Sequence, residues 1–218
     1  MYRLKIFLVW LSKLISPPFC EHCHSNLPER TIFCDACFHL IRPVPKQILL
    51  IEAGYTVPLF AAGSYSGPMQ KLVLAKNYGN SVASVQLAQL IYDRTPFQNL
   101  PIDYLIPVPI HYTRRIWRGF NQSELIARKL ARLRLGLQVA QPVQRVKWTK
   151  VQSALSRVQR QANLKGAFAL QGDNLETYRS KNLVVIDDVS TSGATLIAVI
   201  KELRKLGPAT ITVLVAAR

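Results

Sequence analysis

Acidic residues are scarce in this 218-residue chain: 12 Asp and Glu stand against 28 Lys and Arg, a formal net charge of +16. That imbalance says nothing about fold, but it predicts attraction to polyanions such as nucleic acid, anionic lipid or phosphorylated ligands. Long apolar runs are missing as well. The uncharged stretch Ile6 to Leu11 is too short to span a bilayer, and Lys13 interrupts its continuation. No small-residue cleavage site precedes Pro17-Pro18, so the segment reads as a short amphipathic helix docking on the body. Cysteine is absent outside Cys20 to Cys37, which confines thiol chemistry to one N-terminal module. No internal repeat or low-complexity tract is present. With 49% apolar and 18% charged residues, the chain can bury a sizeable core, and global disorder is excluded. The expectation is a cytoplasmic protein without membrane insertion.

The length suits one α/β domain plus a small appendage. Pro43-Val44-Pro45 marks the boundary, giving a first unit over 1–45 and a second over 46–218. The second begins with an apolar run and a turn over Gly63 to Pro68. A helical stretch follows from about Met69 to Asp93, interrupted at Asn77 to Asn80. Tyr104 to Pro109 reads as a short buried strand stopped by prolines. Asn121 fits an N-cap, with Glu124 closing a capping box. Ile126, Leu130 and Leu133 form one apolar face, and Gly136 ends that helix. Residues 141–168 are polar, basic and weakly periodic, as a loop with some helix would be. Leu183 to Ile186 is a run rich in β-branched residues, typical of a strand buried on both faces. The next helix turns Leu196, Ile200 and Leu203 inward and stops at Gly207-Pro208, before a strand from Ala209 to Val215. Strand, helix, strand in that order predicts a parallel sheet with a crossover.

Cys20-x-x-Cys23 and Cys34-x-x-Cys37 place two thiolates on each of two tight turns, a spacing that completes a tetrahedral Zn²⁺ site. Four soft ligands and closed coordination suit a structural ion. His22, His24 and His39 lie beside the cysteines and are alternative ligands. The spacing predicts a zinc ribbon and leaves its partner open.

The most informative segment runs from Val184 to Thr195. A buried strand delivers Asp187 and Asp188 at its carboxyl end, where open α/β sheets place their ligands. A loop of small hydroxyls and glycine, Ser190 to Gly193, then opens into a helix, whose N–H groups and dipole favour an anion. Carboxylates beside a phosphate cradle make sense when they grip neutral hydroxyls while the loop grips phosphate. A ribose 5-phosphate has that shape.

This segment resembles the 5-phosphoribosyl-1-pyrophosphate (PRPP) signature of the type I phosphoribosyltransferases. The resemblance implies that Asp187 and Asp188 hold the ribose hydroxyls. It also implies that Thr191, Ser192, Gly193, Ala194 and Thr195 wrap the 5′-phosphate. Ser190 and Ser192 stand where a hydrophobic residue and a threonine are commoner. Ile106 to His111, Arg114-Arg115 and Arg118 to Leu125 closely resemble the signature of the ComF family of competence-associated, phosphoribosyltransferase-like proteins. Gln152 to Ser156, Arg160 and Asn163 to Phe168 are similar to its next segment, and an N-terminal four-cysteine ribbon belongs to the same family. Lys76-Asn-Tyr-Gly79 departs from the family, whose members tend to carry the tyrosine directly after the lysine. The resemblance implies that His111, Arg114 and Arg115 approach the pyrophosphate, where Mg²⁺ would also bind. Lys147 to Arg160 would correspond to a loop that closes over the site. No segment is recognisable as base-reading, so the fold match does not establish catalysis.

From His111 to Lys165 there are thirteen bases and one acid, Glu124, so +12 of the net +16 is concentrated there. Arg128 and Arg132 are neighbours one helical turn apart and repel, which suggests an anion between them. A stripe of Arg118, Arg128, Lys129, Arg132, Lys147, Lys150, Arg157 and Arg160 fits a phosphodiester backbone, and Trp148 can stack on an unpaired base. Tyr112 and Trp117 are further stacking candidates, whereas Phe120 suits core packing. The expected fold is a type I phosphoribosyltransferase-like parallel sheet flanked by helices, with a small four-cysteine zinc ribbon. The function implied by the resemblance is handling of incoming single-stranded DNA in natural transformation, with PRPP or a related ligand in the old active site. An active phosphoribosyltransferase of nucleobase or nucleotide metabolism is the alternative, and an adaptor whose ribbon recruits a competence helicase is a third.

Overall fold

A computed structural model of the chain describes residues 18–28, 31, 33–75, 81–113, 116, 119–147 and 164–218. The expected N-terminal helix lies outside the described residues, as does the turn at Lys76 to Gly79. The cysteine segment contains one short helix, α1 (Asp35–His39), and a bridge between Phe19 and Asn26. A hairpin follows, β1 (Gln47–Glu52) and β2 (Tyr55–Gly63), paired antiparallel. Two helices, α2 (Gly67–Ala75) and α3 (Ser81–Arg94), lead to β3 (Tyr104–Pro107). Then come α4 (Gln122–Leu133), β4 (Gln138–Val139), β5 (Val143–Arg145), β6 (Phe168–Leu170), β7 (Asn182–Val189), α5 (Ala194–Arg204) and β8 (Thr210–Ala217).

The main sheet has six strands in the order β1-β2-β8-β7-β3-β4. All neighbours from β2 to β4 are parallel, and only β1 at the edge runs against them. β7 and β8 sit inside the sheet, which is why Leu183 to Ile186 and Ile211 to Ala217 are continuously buried. One face carries α2, α3 and α4: Leu72, Leu87, Ile91, Ile126 and Leu130 pack with Leu105, Val184, Ile186 and Leu214. The other face carries α5, whose Leu196, Val199, Ile200 and Leu203 meet Ile106, Leu183, Val185 and Val213. Alternate side chains of β7 therefore serve two cores, as period-2 geometry requires.

One sequence expectation changes. Val143–Arg145 and Phe168–Leu170 are strands of a separate antiparallel pair, so the ends of the 141–168 stretch are extended rather than loop or helix. The apolar run at Ile48 to Ile51 is an edge strand that buries only Leu49 and Ile51. The cysteine segment packs on the body: Cys20, Leu27, Phe33, Cys37 and Ile41 share one buried cluster with Met69, Leu72 and Val73 of α2. Polar ties add to it, since Lys71 Nζ donates to the carbonyl of His22 at 3.0 Å.

Candidate ligand site and metal centre

Four parallel strands end at one edge of the sheet: β2 at Gly63, β8 at Ala217, β7 at Val189 and β3 at Pro107. β7 brings Asp187 and Asp188 to that edge, both half-buried. Asp187 Oδ1 accepts the N–H of Asp188 at 2.9 Å, and Asp188 Oδ1 accepts the N–H of Val189 at 2.8 Å. Each carboxylate is folded back on its own strand.

The loop after them is anchored on its inner side. Ser190 is buried; its N–H donates to Ala217 at 3.0 Å, and its hydroxyl accepts from Arg218 Nη1 at 3.1 Å. Gly193 has φ +74, and a Cβ there would lie 3.2 Å from Leu49 Cδ2. Left-handed backbone and a crowded wall both favour glycine at this turn into α5. The α5 N–H groups and dipole then face the loop and offer an anion site. A cavity of about 60 Å³ is lined by Asp187, Val189 and every residue from Ser190 to Leu196. The structure thus gathers Asp187, Thr191, Ser192, Gly193, Ala194 and Thr195 around one cavity, with Asp188 beside it. A larger cavity of about 490 Å³ runs along α5 between Leu50–Ile51 and Leu164–Phe168, with Lys165 and Lys201 on its wall and neither acid of the site.

The register Pro107↔Ile186, continued by the Val108 N–H on the Ile186 carbonyl, sets Val108 next to Asp187, and His111 follows three residues on. His111 Nδ1 accepts the N–H of Thr113 at 3.3 Å and pairs with the Thr113 hydroxyl at 2.9 Å. Arg114, Arg115 and Arg118 lie outside the described residues, as do Trp117, Trp148, Lys150, Arg157 and Arg160.

The helix α4 starts in this neighbourhood. Asn121 caps it, with Oδ1 accepting the N–H of Ser123 at 3.2 Å, as the capping signature predicts. Its Nδ2 donates to the carbonyl of Val108 at 3.0 Å. Ser123, 3% exposed, donates its hydroxyl to Asp187 Oδ1 at 2.8 Å. Gln122 is also buried, and its Nε2 has no partner among the described residues. Arg128 is ion-paired: its Nε and Nη2 donate to Glu124 Oε1 at 3.0 and 2.8 Å. That pair relieves the expected repulsion between Arg128 and Arg132 without an outside anion. Arg132 is exposed, Lys129 half-buried, and Lys147 exposed with Nζ 3.4 Å from the carbonyl of Lys165. Sequence reasoning missed Ser123 and Arg218 at the site, because both reach it only through strand and helix packing.

The four cysteine sulfurs lie within 4.8 Å of one another. Cys23 Sγ and Cys34 Sγ are 3.7 Å apart, close to the ~3.8 Å separation that tetrahedral Zn–S bonds of ~2.3 Å impose. The four cysteines come together as the spacing predicts, and the cluster could hold a metal ion. His22 stands next to them, with Nδ1 3.3 Å from Cys37 Sγ. The Ser25 hydroxyl, 3.1 Å from Cys23 Sγ, lowers that thiol to about 6, while burial pushes the Cys37 thiol up. No helix among the described residues is long and apolar enough to cross a membrane.

This sheet edge, with its acid pair and glycine-turned loop, is that of a phosphoribosyltransferase-like protein: residues 118–218 match the family model described as the phosphoribosyl transferase domain. The chain is 32% identical over 197 residues to Competence protein F of Haemophilus influenzae, covering 87% of this chain and 80% of that protein. It is 31% identical over 196 residues to DNA utilization protein YhgH of Salmonella typhi, covering 89% and 81%. With YhgH of Escherichia coli it shares 31% over 203 residues, again 89% and 81%. The chain belongs to the ComF family of competence proteins.

Proposed function

We propose that this protein handles DNA in natural transformation and binds PRPP or a related phosphoribosyl ligand at the edge formed by β7 and α5. The observation that carries the reading is the pairing of Asp187 and Asp188 with the loop that Gly193 turns into α5. Neutral ribose hydroxyls match the carboxylates, and a 5′-phosphate matches the loop N–H groups and helix dipole. Mg²⁺ would accompany the pyrophosphate. His111, Arg114 and Arg115 would meet the same group. The names of the relatives, a competence protein and DNA utilization proteins, support the DNA side of the reading. Arg118, Arg128, Lys129, Arg132, Lys147, Lys150, Arg157 and Arg160 would follow the backbone of a single strand, with Trp148 stacking on a base. The four-cysteine cluster would hold a structural Zn²⁺ that fixes residues 18–41. The protein would act in the cytoplasm, where incoming DNA arrives.

The match to the phosphoribosyl transferase domain favours a second reading, an active transferase. A deletion strain carrying Asp187→Asn with Asp188→Asn separates the two. Lost transformation with normal growth on purine and pyrimidine sources supports the first reading. Normal transformation with impaired growth on those sources hands the case to the transferase.

A further inference from the structure

We propose that Ser123 is the positioning residue that sets the Asp187 carboxylate for a ligand's vicinal diol. The proposal rests on the phosphoribosyl reading above and assigns a role to a residue outside the loop and the acid pair.

A closed circuit of hydrogen bonds carries it. The N–H of Val108 donates to Ile186 of β7 at 2.9 Å, which extends the β3–β7 pairing. The carbonyl of Val108 accepts Asn121 Nδ2 at 3.0 Å. Asn121 Oδ1 accepts the N–H of Ser123 at 3.2 Å, and Ser123 Oγ donates to Asp187 Oδ1 at 2.8 Å. The circuit leaves β7 at Ile186 and returns one residue later. Asn121 and Ser123 are 6% and 3% exposed, so water does not compete effectively for these bonds.

The Oδ1 of Asp187 accepts two donors, the N–H of Asp188 and the Ser123 hydroxyl. Two donors on one oxygen fix the carboxylate plane, and the direction of Oδ2 follows from it. Accepting a ligand hydroxyl on Oδ2 benefits from that direction being held in advance, because a freely turning carboxylate would lose rotamer entropy on binding. Serine at the second position of α4 therefore serves the ligand site as well as the helix.

The test is calorimetry with PRPP and, separately, inorganic phosphate, on wild type, Ser123→Ala, Asp187→Asn and the double variant. Ser123→Ala should weaken PRPP by roughly three- to tenfold and leave phosphate unchanged, since phosphate alone engages the loop. In the double variant the Ser123 change should add little to Asp187→Asn, because its effect passes through that carboxylate. Should Ser123→Ala fail to fold, Ser123→Cys, close in size and a weak donor, carries the same expectation. Unchanged PRPP affinity in the serine variant, or full additivity, overturns the positioning role while the phosphoribosyl reading stands. Equal loss of PRPP and phosphate points to a general structural defect and also overturns it. Wild-type protein that binds phosphate but not PRPP overturns the reading itself, and the inference with it.

Discussion

Arg94 at the end of α3 sits over Phe38, its guanidinium carbon 4.7 Å from the ring centre, while Nη1 donates to the carbonyl of Ile41 at 2.8 Å. One side chain of the sheet-bearing body thus clamps the far end of the cysteine segment by stacking and by hydrogen bonding. Arg94→Ala should lower stability by roughly 1–3 kcal/mol, the usual scale for a charged hydrogen bond with a cation–π contact. Lysine at the same position should recover only part, because it lacks the planar fork. Thermal melts of the three proteins check this, and equal melting temperatures would contradict it.

The metal prediction follows from the same packing. Purified protein should carry close to one zinc per chain, and Cys34→Ser should lose it. Because Cys20 and Cys37 share a buried cluster with Met69, Leu72 and Val73, metal loss should also loosen α2. Hydrogen exchange would read this as faster exchange in Met69 to Leu74 than in wild type. Faster exchange confined to residues 18–41 would mean that the segment folds independently of the body.

At the opposite edge of the sheet, Asp103 gives a pH signature. The backbone N–H of Asn182, 2.8 Å from Oδ2, is the main cause that lowers its pKa, helped by the Asn182 amide and by Lys181. A carboxylate depressed in the folded state contributes stability above its unfolded pKa of about 3.9, and loses it as pH falls through the folded value. Asp103→Asn should therefore melt below wild type at pH 7, and the gap should narrow as pH falls below the unfolded value of about 3.9. A gap that persists unchanged at pH 2 would contradict the assignment.

Much of the fold is legible in the sequence where periodicity and end signals coincide. Leu183 to Ile186 reads as an interior strand because β-branched residues fill both faces, and α5 because Leu196, Ile200 and Leu203 align before Gly207. Asn121 announces its cap for the same reason. β5 and β6 escape, since three residues establish no period. The apolar run Ile48 to Ile51 does not reveal its place in the sheet: as an edge strand it leaves Ile48 and Leu50 exposed, at 57% and 63%. At the site, the acid pair and loop are contiguous and readable. Ser123 and Asp187 are 64 positions apart and meet only because α4 packs across β7.

Arg128 and Arg132 should differ in their effect on DNA. Arg128 is already paired with Glu124, whereas Arg132 is exposed on the same helix. If the basic face grips a single strand, Arg132→Ala should flatten the salt dependence of binding by roughly 0.7 log units per log unit of salt for one lost phosphate contact. Arg128→Ala should change the slope less, because that charge is partly neutralised within the protein. Fluorescence titrations with a short oligonucleotide at several salt concentrations measure both. Identical slopes for the two variants would contradict the distinction, and a slope near zero in wild type would remove DNA from this face.

The most direct measurement is PRPP calorimetry on wild type and on Asp187→Asn with Asp188→Asn, each first checked for an unchanged melting profile and metal content. The substitutions keep size and remove charge, so loop and fold remain while the ribose hydroxyls lose their strongest acceptors, a loss worth ~1–3 kcal/mol for each. The expected result is PRPP binding in wild type, weakened by at least about tenfold in the double variant. Equal affinity in the two proteins would contradict the phosphoribosyl site.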